Sequence, residues 1–456
     1  MAPIDEAIGF FKNAFANENT GGLLSILLPD QSQMAMVLRL RDNLRSIPFE
    51  KISDRVEANN VFDPREETNR LLGSVVREYF RYVREYDTPP EKGQDTGLTR
   101  LKRDFRNFDI LTQRLADLYR PQRDTGRGAG PPDVDWLSEI MKRVSVALLR
   151  QAGDIDRMSG VNIIATISDA TARLNKVLLS AVNGIADTRP RYLLRASAAI
   201  FISNQLFRVH HRTNSMHLFE QVMRPMLSTR QLHVLTDRVP KADAVEFRYW
   251  VGRYKLNLGN IQQARDLLQL AFNDCPNRSK NKRTILIYLT AASIGCGIAP
   301  RPALLSAFNL HAQFGPIIEY VKYGNGAAFE RHLNAWMPWF AKFELVLVLK
   351  EKVTFMIWRT ILRRVALITD PVSLREDKDV QISLKLVADA LKIGYQDASY
   401  DADDAQMIVL CLIDQGYARG GVRHVSATVT KLHIPPPSAL TKLAAKPHSH
   451  ELYHID

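Results

Sequence analysis

Three groups of cations and one pair of histidines are the residues in this sequence whose types and spacing could do chemistry. His450-Glu451-Leu452-Tyr453-His454 has the HExxH spacing, which on a helix sets two imidazoles one turn apart for zinc, with the glutamate as general base. That chemistry also needs a buried helix and a third ligand. Here Pro447 stands just ahead of the motif and the sequence stops at Asp456, so chance occurrence in a histidine-containing tail is the expectation and a zinc protease the remote alternative. The cations are more coherent. Over 350–368, Val353, Ile357, Ile361, Val365 and Ile368 fall on one side of a helix, and Lys352, Arg359 and Arg363 lie within about 40° of one another on the other. A second basic group, Arg419, Arg423, His424 and Lys431, follows. Such cations can neutralise phosphates, each contact steepening the salt dependence of binding by about 0.9 on duplex DNA or about 0.7 on single strands. Arg278, Lys280, Lys282 and Arg283 form the densest cluster and are secondary candidates beside the plainer reading of a solvated inter-helix turn.

Other chemistry is not supported. The glycine-rich stretch Thr125 to Pro132 lacks the Gly-Lys-Ser/Thr of a phosphate loop and reads as a linker. Cys275, Cys296 and Cys411 lie far apart without CxxC spacing, so neither a disulfide framework nor a thiolate zinc site is expected, and a reducing, intracellular compartment follows. No GxSxG elbow is present. No catalytic residue, metal or cofactor is expected. Asp401, Asp403, Asp404 and Asp414 would repel phosphate, so the helix that reads bases in winged-helix transcription factors is expected to make no base contacts here.

These residues must be positioned by a large, mostly helical chain. Its 456 residues predict two to four structural units. With 61 Lys and Arg against 49 Asp and Glu, the net charge of +12 favours an acidic partner, nucleic acid or acidic protein. No membrane insertion is expected, because the longest nearly apolar run, Thr284 to Pro300, is short and interrupted. Helical periodicity runs through Leu137, Ile140, Val144 and Leu148, closing at Arg150; through Leu174, Val177, Leu178, Ala181 and Ile185; and through Phe201 to Met226. Exposed loops are expected at 86–98 and 120–134, where Pro and Gly cluster. In Tyr254 to Pro276, Gly259, Ala264, Ala271 and Phe272 follow the tetratricopeptide pattern of small and large residues, so neighbouring degenerate pairs should stack on this one. After residue 350 the order changes to helix, a strand at Gln381 to Leu384, helix, helix and a hairpin turning at Gly420-Gly421, with Val425, Ala427 and Val429 alternating. That is the order of a winged helix. The expected organisation is an N-terminal helical region at 1–134, a repeat array at 135–349, a winged helix at 350–434 and a flexible tail at 435–456.

The sequence resembles the PCI-domain family in Phe247-Arg248-Tyr249-Trp250-Val251-Gly252-Arg253, in Gln263-Ala264 and Ala271-Phe272, and above all in Asn281 to Leu289. Gln406 through Leu412-Ile413, Gly416 and Gly420 extend the likeness. It covers roughly residues 190 to 435 and is strongest for the PCI subunit of the TREX-two messenger-RNA export complex. The resemblance implies a mostly α fold: a right-handed superhelix of degenerate TPR-like repeats ending in a C-terminal winged helix. It also implies a non-enzymatic scaffold in the nucleus, associated with the nuclear pore, that pairs with a larger PCI scaffold protein and a small acidic disordered protein. The joined winged helices would form a platform for RNA or DNA. The signalosome-associated PCI subunit, linked to splicing and transcription, shares most of these motifs and is the alternative.

Overall fold

In the computed structural model the described residues are 2–29, 33–58, 67–86, 96–121, 134–160, 165–185, 192–229, 232–372, 380–423 and 427–434. They fall into two compact units, one up to Phe247 and one from Arg248 onward. Both are mostly helical, and no described helix is long and apolar enough to cross a membrane.

The first unit contains α1 (Ala2–Ala16), α2 (Thr20–Leu27), α3 (Met34–Arg45), α4 (Phe49–Ala58), α5 (Glu67–Glu85), α6 (Thr96–Tyr119), α7 (Ser138–Met158), α8 (Ala165–Asn183), α9 (Tyr192–Arg212), α10 (Phe219–Leu227) and α11 (Leu232–Arg238). From α5 to α9 each helix packs on the next, as helical repeats require. The cause is visible in α5, where Leu72, Val75, Val76, Tyr79, Phe80 and Val83 recur at helical spacing and are all buried. The same periodicity is equally plain in and just before α7, where the stripe of Leu137, Ile140, Val144 and Leu148 is buried as expected. A polar anchor sits inside this layer. The Arg195 guanidinium is fully buried, pairs with Asp135, donates to the Ser180 carbonyl at 2.9 Å and lies 4.2 Å from the Tyr119 ring centroid. A Cβ at Gly184 would run into that side chain, so glycine is required there.

Helix ends depart from expectation. α7 runs past Arg150 to Met158, and Ile185 lies beyond the end of α8. The run expected over Phe201 to Met226 is two helices, broken where Asn214 takes φ 54°. Thr96–Leu98, expected in a loop, open α6; Gly97 is tolerated in a first turn, whose N–H groups have no intrahelical acceptor anyway. Val134, at the end of the other expected loop, is buried. Residues 87–95 and 122–133 lie outside the described residues.

The second unit begins within α12 (Lys241–Asn257) and continues through α13 (Ile261–Asp274), α14 (Lys280–Gly295), α15 (Pro302–Ala307), α16 (His311–Tyr323), α17 (Gly326–Ala335), α18 (Met337–Lys342) and α19 (Val346–Thr369). Gly259 takes φ 83° in the turn between α12 and α13, and Ala264 and Ala271 are fully buried. Close approach is real here: a Cβ at Gly252 would sit 2.8 Å from Leu268 Cγ. Arg253 is held among the rings of Tyr249, Trp250 and Tyr288 and pairs with Glu344 at 3.0 Å. Trp339, half-buried, packs edge-on to the buried Phe314 of α16 and Phe340 of α18.

Then come β1 (Val380–Ser383), α20 (Leu384–Tyr395), α21 (Ala402–Asp414), β2 (Arg419–Arg423) and β3 (Thr428–His433), the expected order of a winged helix. The antiparallel sheet is ordered β1-β3-β2, with Ile382 and Val422 both opposite Val429. The hairpin differs from expectation. Gly420 and Gly421 lie within β2, where the register shifts between Arg419 and Gly421 and Gly420 takes φ 152°. Reversal falls after Arg423 instead; Ala427, expected in the strand, is in the turn at φ 45°, and Val425 lies outside the described residues.

Candidate nucleic-acid interface

The basic stripe expected on α19 does not reach solvent as a unit. α19 is packed by α14, α16, α17 and α18 as well as by α20, α21 and β1, so more than one of its faces is covered. Arg359 is 2% exposed, and burial, followed by the charge of Arg363, pushes its guanidinium down to about 10. It belongs to the interior rather than to a phosphate-binding face. Lys352 is largely covered and pairs with Glu351 at 2.6 Å. Arg363 is half-buried, and its Nη1 is buried without a hydrogen-bond partner among the described residues. Ile368, expected on the apolar side, is 84% exposed because it stands in the last turn, beyond the packing. The cation that does reach solvent in this part of the helix is Arg364, 5.6 Å from the Tyr323 ring centroid. Its one signal in the sequence is adjacency to Arg363.

The wing is different. Arg419 and Arg423 are exposed at the two ends of β2, an outer strand of the sheet, and neither pairs with a carboxylate among the described residues. Tyr417, two residues before Arg419, stacks on Phe355 of α19 with centroids 5.7 Å apart and 14° between planes. Burial pushes its hydroxyl up to about 12. Lys431 lies in β3, its side chain outside the described residues, as is His424 altogether. The accessible cations of the expected group are thus the wing arginines, and the helix behind them turns its central arginine inward.

The secondary cluster also separates. Lys282 is buried, its Nζ donating to the Cys275 carbonyl at 2.8 Å and Asn277 Oδ1 at 2.7 Å and lying 4.6 Å from the Phe272 ring centroid. Arg283 donates from Nε to the Phe308 carbonyl at 2.9 Å. Both hold the start of α14 in place. Arg278 and Lys280 are exposed. On α21, Asp401 caps the helix: its carboxylate accepts from the N–H groups of Asp403 and Asp404 at 2.9 Å each, and the Asp404 carboxylate accepts from the Asp401 N–H at 3.0 Å.

The HExxH residues 450–454 lie outside the described residues, among which no group of His, Cys, Asp and Glu could hold a metal ion. Cys296 is buried, which pushes its thiol up to about 12, and it packs 3.6 Å from Gln262 Oε1.

No family profile matches the chain. Individual proteins do. A PCI domain-containing protein of Schizosaccharomyces pombe is 30% identical over 312 residues, covering 65% of this chain and 68% of that protein. A PCI domain-containing protein 2 homolog of Dictyostelium discoideum is 28% identical over 66% of this chain and 69% of its own length. The PCI domain-containing protein 2 of Xenopus laevis is 27% identical over 66% of this chain and 73% of its own. With likeness of this extent on a mostly helical, repeat-built chain, the protein belongs to the PCI-domain family.

Proposed function

We propose that this PCI-domain protein is a non-enzymatic scaffold subunit of a nuclear messenger-RNA export complex of the TREX-two type, working at the nuclear pore. It pairs with a larger PCI scaffold protein and a small acidic protein, and its wing forms half of a composite surface that holds RNA or DNA by the backbone, coupling transcription to export. The observation carrying the nucleic-acid part is the exposed placement of Arg419 and Arg423 along β2, an outer strand, with no carboxylate paired to either among the described residues. Cations without carboxylate partners give up no ion pair on meeting phosphate, so their Coulomb attraction is available to the ligand. The acidic turn of α21 favours contacts to the backbone over insertion into a groove.

The test is Arg419→Glu with Arg423→Glu in the assembled heterodimer, titrated against a labelled single-stranded RNA at several salt concentrations. Affinity should fall steeply and the salt slope flatten while the heterodimer still assembles. Unchanged affinity would remove the wing from the platform.

A further inference from the structure

α21 carries a solvent face that neither its packing nor phosphate binding uses. Asp403, Met407, Leu410 and Asp414 recur at i, i+4, i+7 and i+11, which places them within about 60° of one another around the helix. All four are exposed, Met407 at 60% and Leu410 at 39%, whereas Ala405, Ile408, Val409 and Leu412 on the other side are buried. The exposed stripe thus has an apolar centre and a carboxylate about one turn beyond each end. Capping accounts for Asp401 and Asp404, and the first-turn position of Asp403 suits the helix dipole, but Asp414 stands in the last turn, where the dipole disfavours it, bonded among the described residues to the neighbouring Gln415 at 3.2 Å.

We infer that this face docks an amphipathic helix of a partner protein, one whose apolar ridge is flanked at both ends by Lys or Arg. Charge selects this occupant. Phosphate would be repelled at both ends of the stripe, and a second copy of the chain laid along it, in either direction, would bring Asp against Asp. An apolar pair flanked by acids is instead complementary to the side-by-side helix contact of a basic amphipathic segment. The winged helix then divides its work, with protein on α21 and nucleic acid on β2. The inference uses only α21 and stands whether or not the export reading does.

The test titrates the full chain into a labelled helical peptide with two leucines one turn apart and a lysine one turn beyond each, and into the same peptide with glutamates for the lysines. The lysine peptide should bind at least about ten-fold more tightly. Met407→Ser with Leu410→Ser should abolish that binding, and Asp403→Lys with Asp414→Lys should invert the preference. Equal binding of the two peptides, or absence of binding by both, overturns the inference. A second measurement places p-benzoylphenylalanine at Met407 in cells. Adducts to an apolar segment of a partner flanked by Lys or Arg support it; adducts to RNA or to this chain itself overturn it.

Discussion

The ring of Tyr417 lies flat on that of Phe355, 14° from parallel, and so ties the segment leading into β2 to the middle of α19. Tyr417→Leu removes the stacked pair while keeping an apolar side chain, and should cost about 0.5–1.5 kcal/mol beyond the area lost. Urea unfolding measures it, and RNA affinity should fall with both wing arginines intact because the strand bearing them is less well held. A loss no larger than that of an ordinary surface substitution would show that the stack does not fix the wing.

Lys282 and Lys280 are two residues apart with opposite environments. Lys282→Ala removes the donor to the Cys275 carbonyl and Asn277, and hydrogen bonds of a charged group are worth about 1.5–3 kcal/mol. Lys280→Ala should stay within about 0.5 kcal/mol, as surface changes do. Thermal melts of the two variants check the contrast.

Removing one partner of the Asp135–Arg195 pair strands a buried charge, so Asp135→Asn or Arg195→Met should each cost about 3–5 kcal/mol. The double substitution should cost less than the sum of the two. Denaturant titration of the four chains closes the cycle.

His210 is buried beside Phe219 with Nε2 unpartnered among the described residues, and burial, aided by His217, holds its imidazole down to about 4 against an ordinary 6.5. A base with a depressed folded pKa binds its proton more readily when unfolded, so its stabilising contribution is full above about pH 6.5 and lost as pH falls through 4. Within that window each pH unit should cost at most about 1.4 kcal/mol. His210→Phe should flatten the stability profile there, and an unaltered slope would assign the acid sensitivity elsewhere.

How much of the molecule is legible in its sequence follows from how many sides of an element are covered. α7 buries one face, so periodicity names its core. α19 is packed from several directions, and a helical wheel, which assumes a single buried face, puts Arg359 in solvent when it is interior. Lys282 escapes the same reasoning for a related cause: its partners, the carbonyl of Cys275 and the ring of Phe272, exist only once the turn has folded. Gly420-Gly421 has the composition of a hairpin turn, yet the same freedom of φ serves a bulge inside β2, and only register distinguishes the two uses. The small residues Ala264 and Ala271 and the capping aspartates of α21 are readable because both rest on local residue size and spacing.

The most direct test of the export reading is purification of the tagged protein from its own cells at moderate salt after nuclease treatment, with mass spectrometry of what accompanies it. A large PCI scaffold protein, a small acidic protein and nuclear-pore components are the predicted companions. Signalosome or splicing subunits in their place would contradict it.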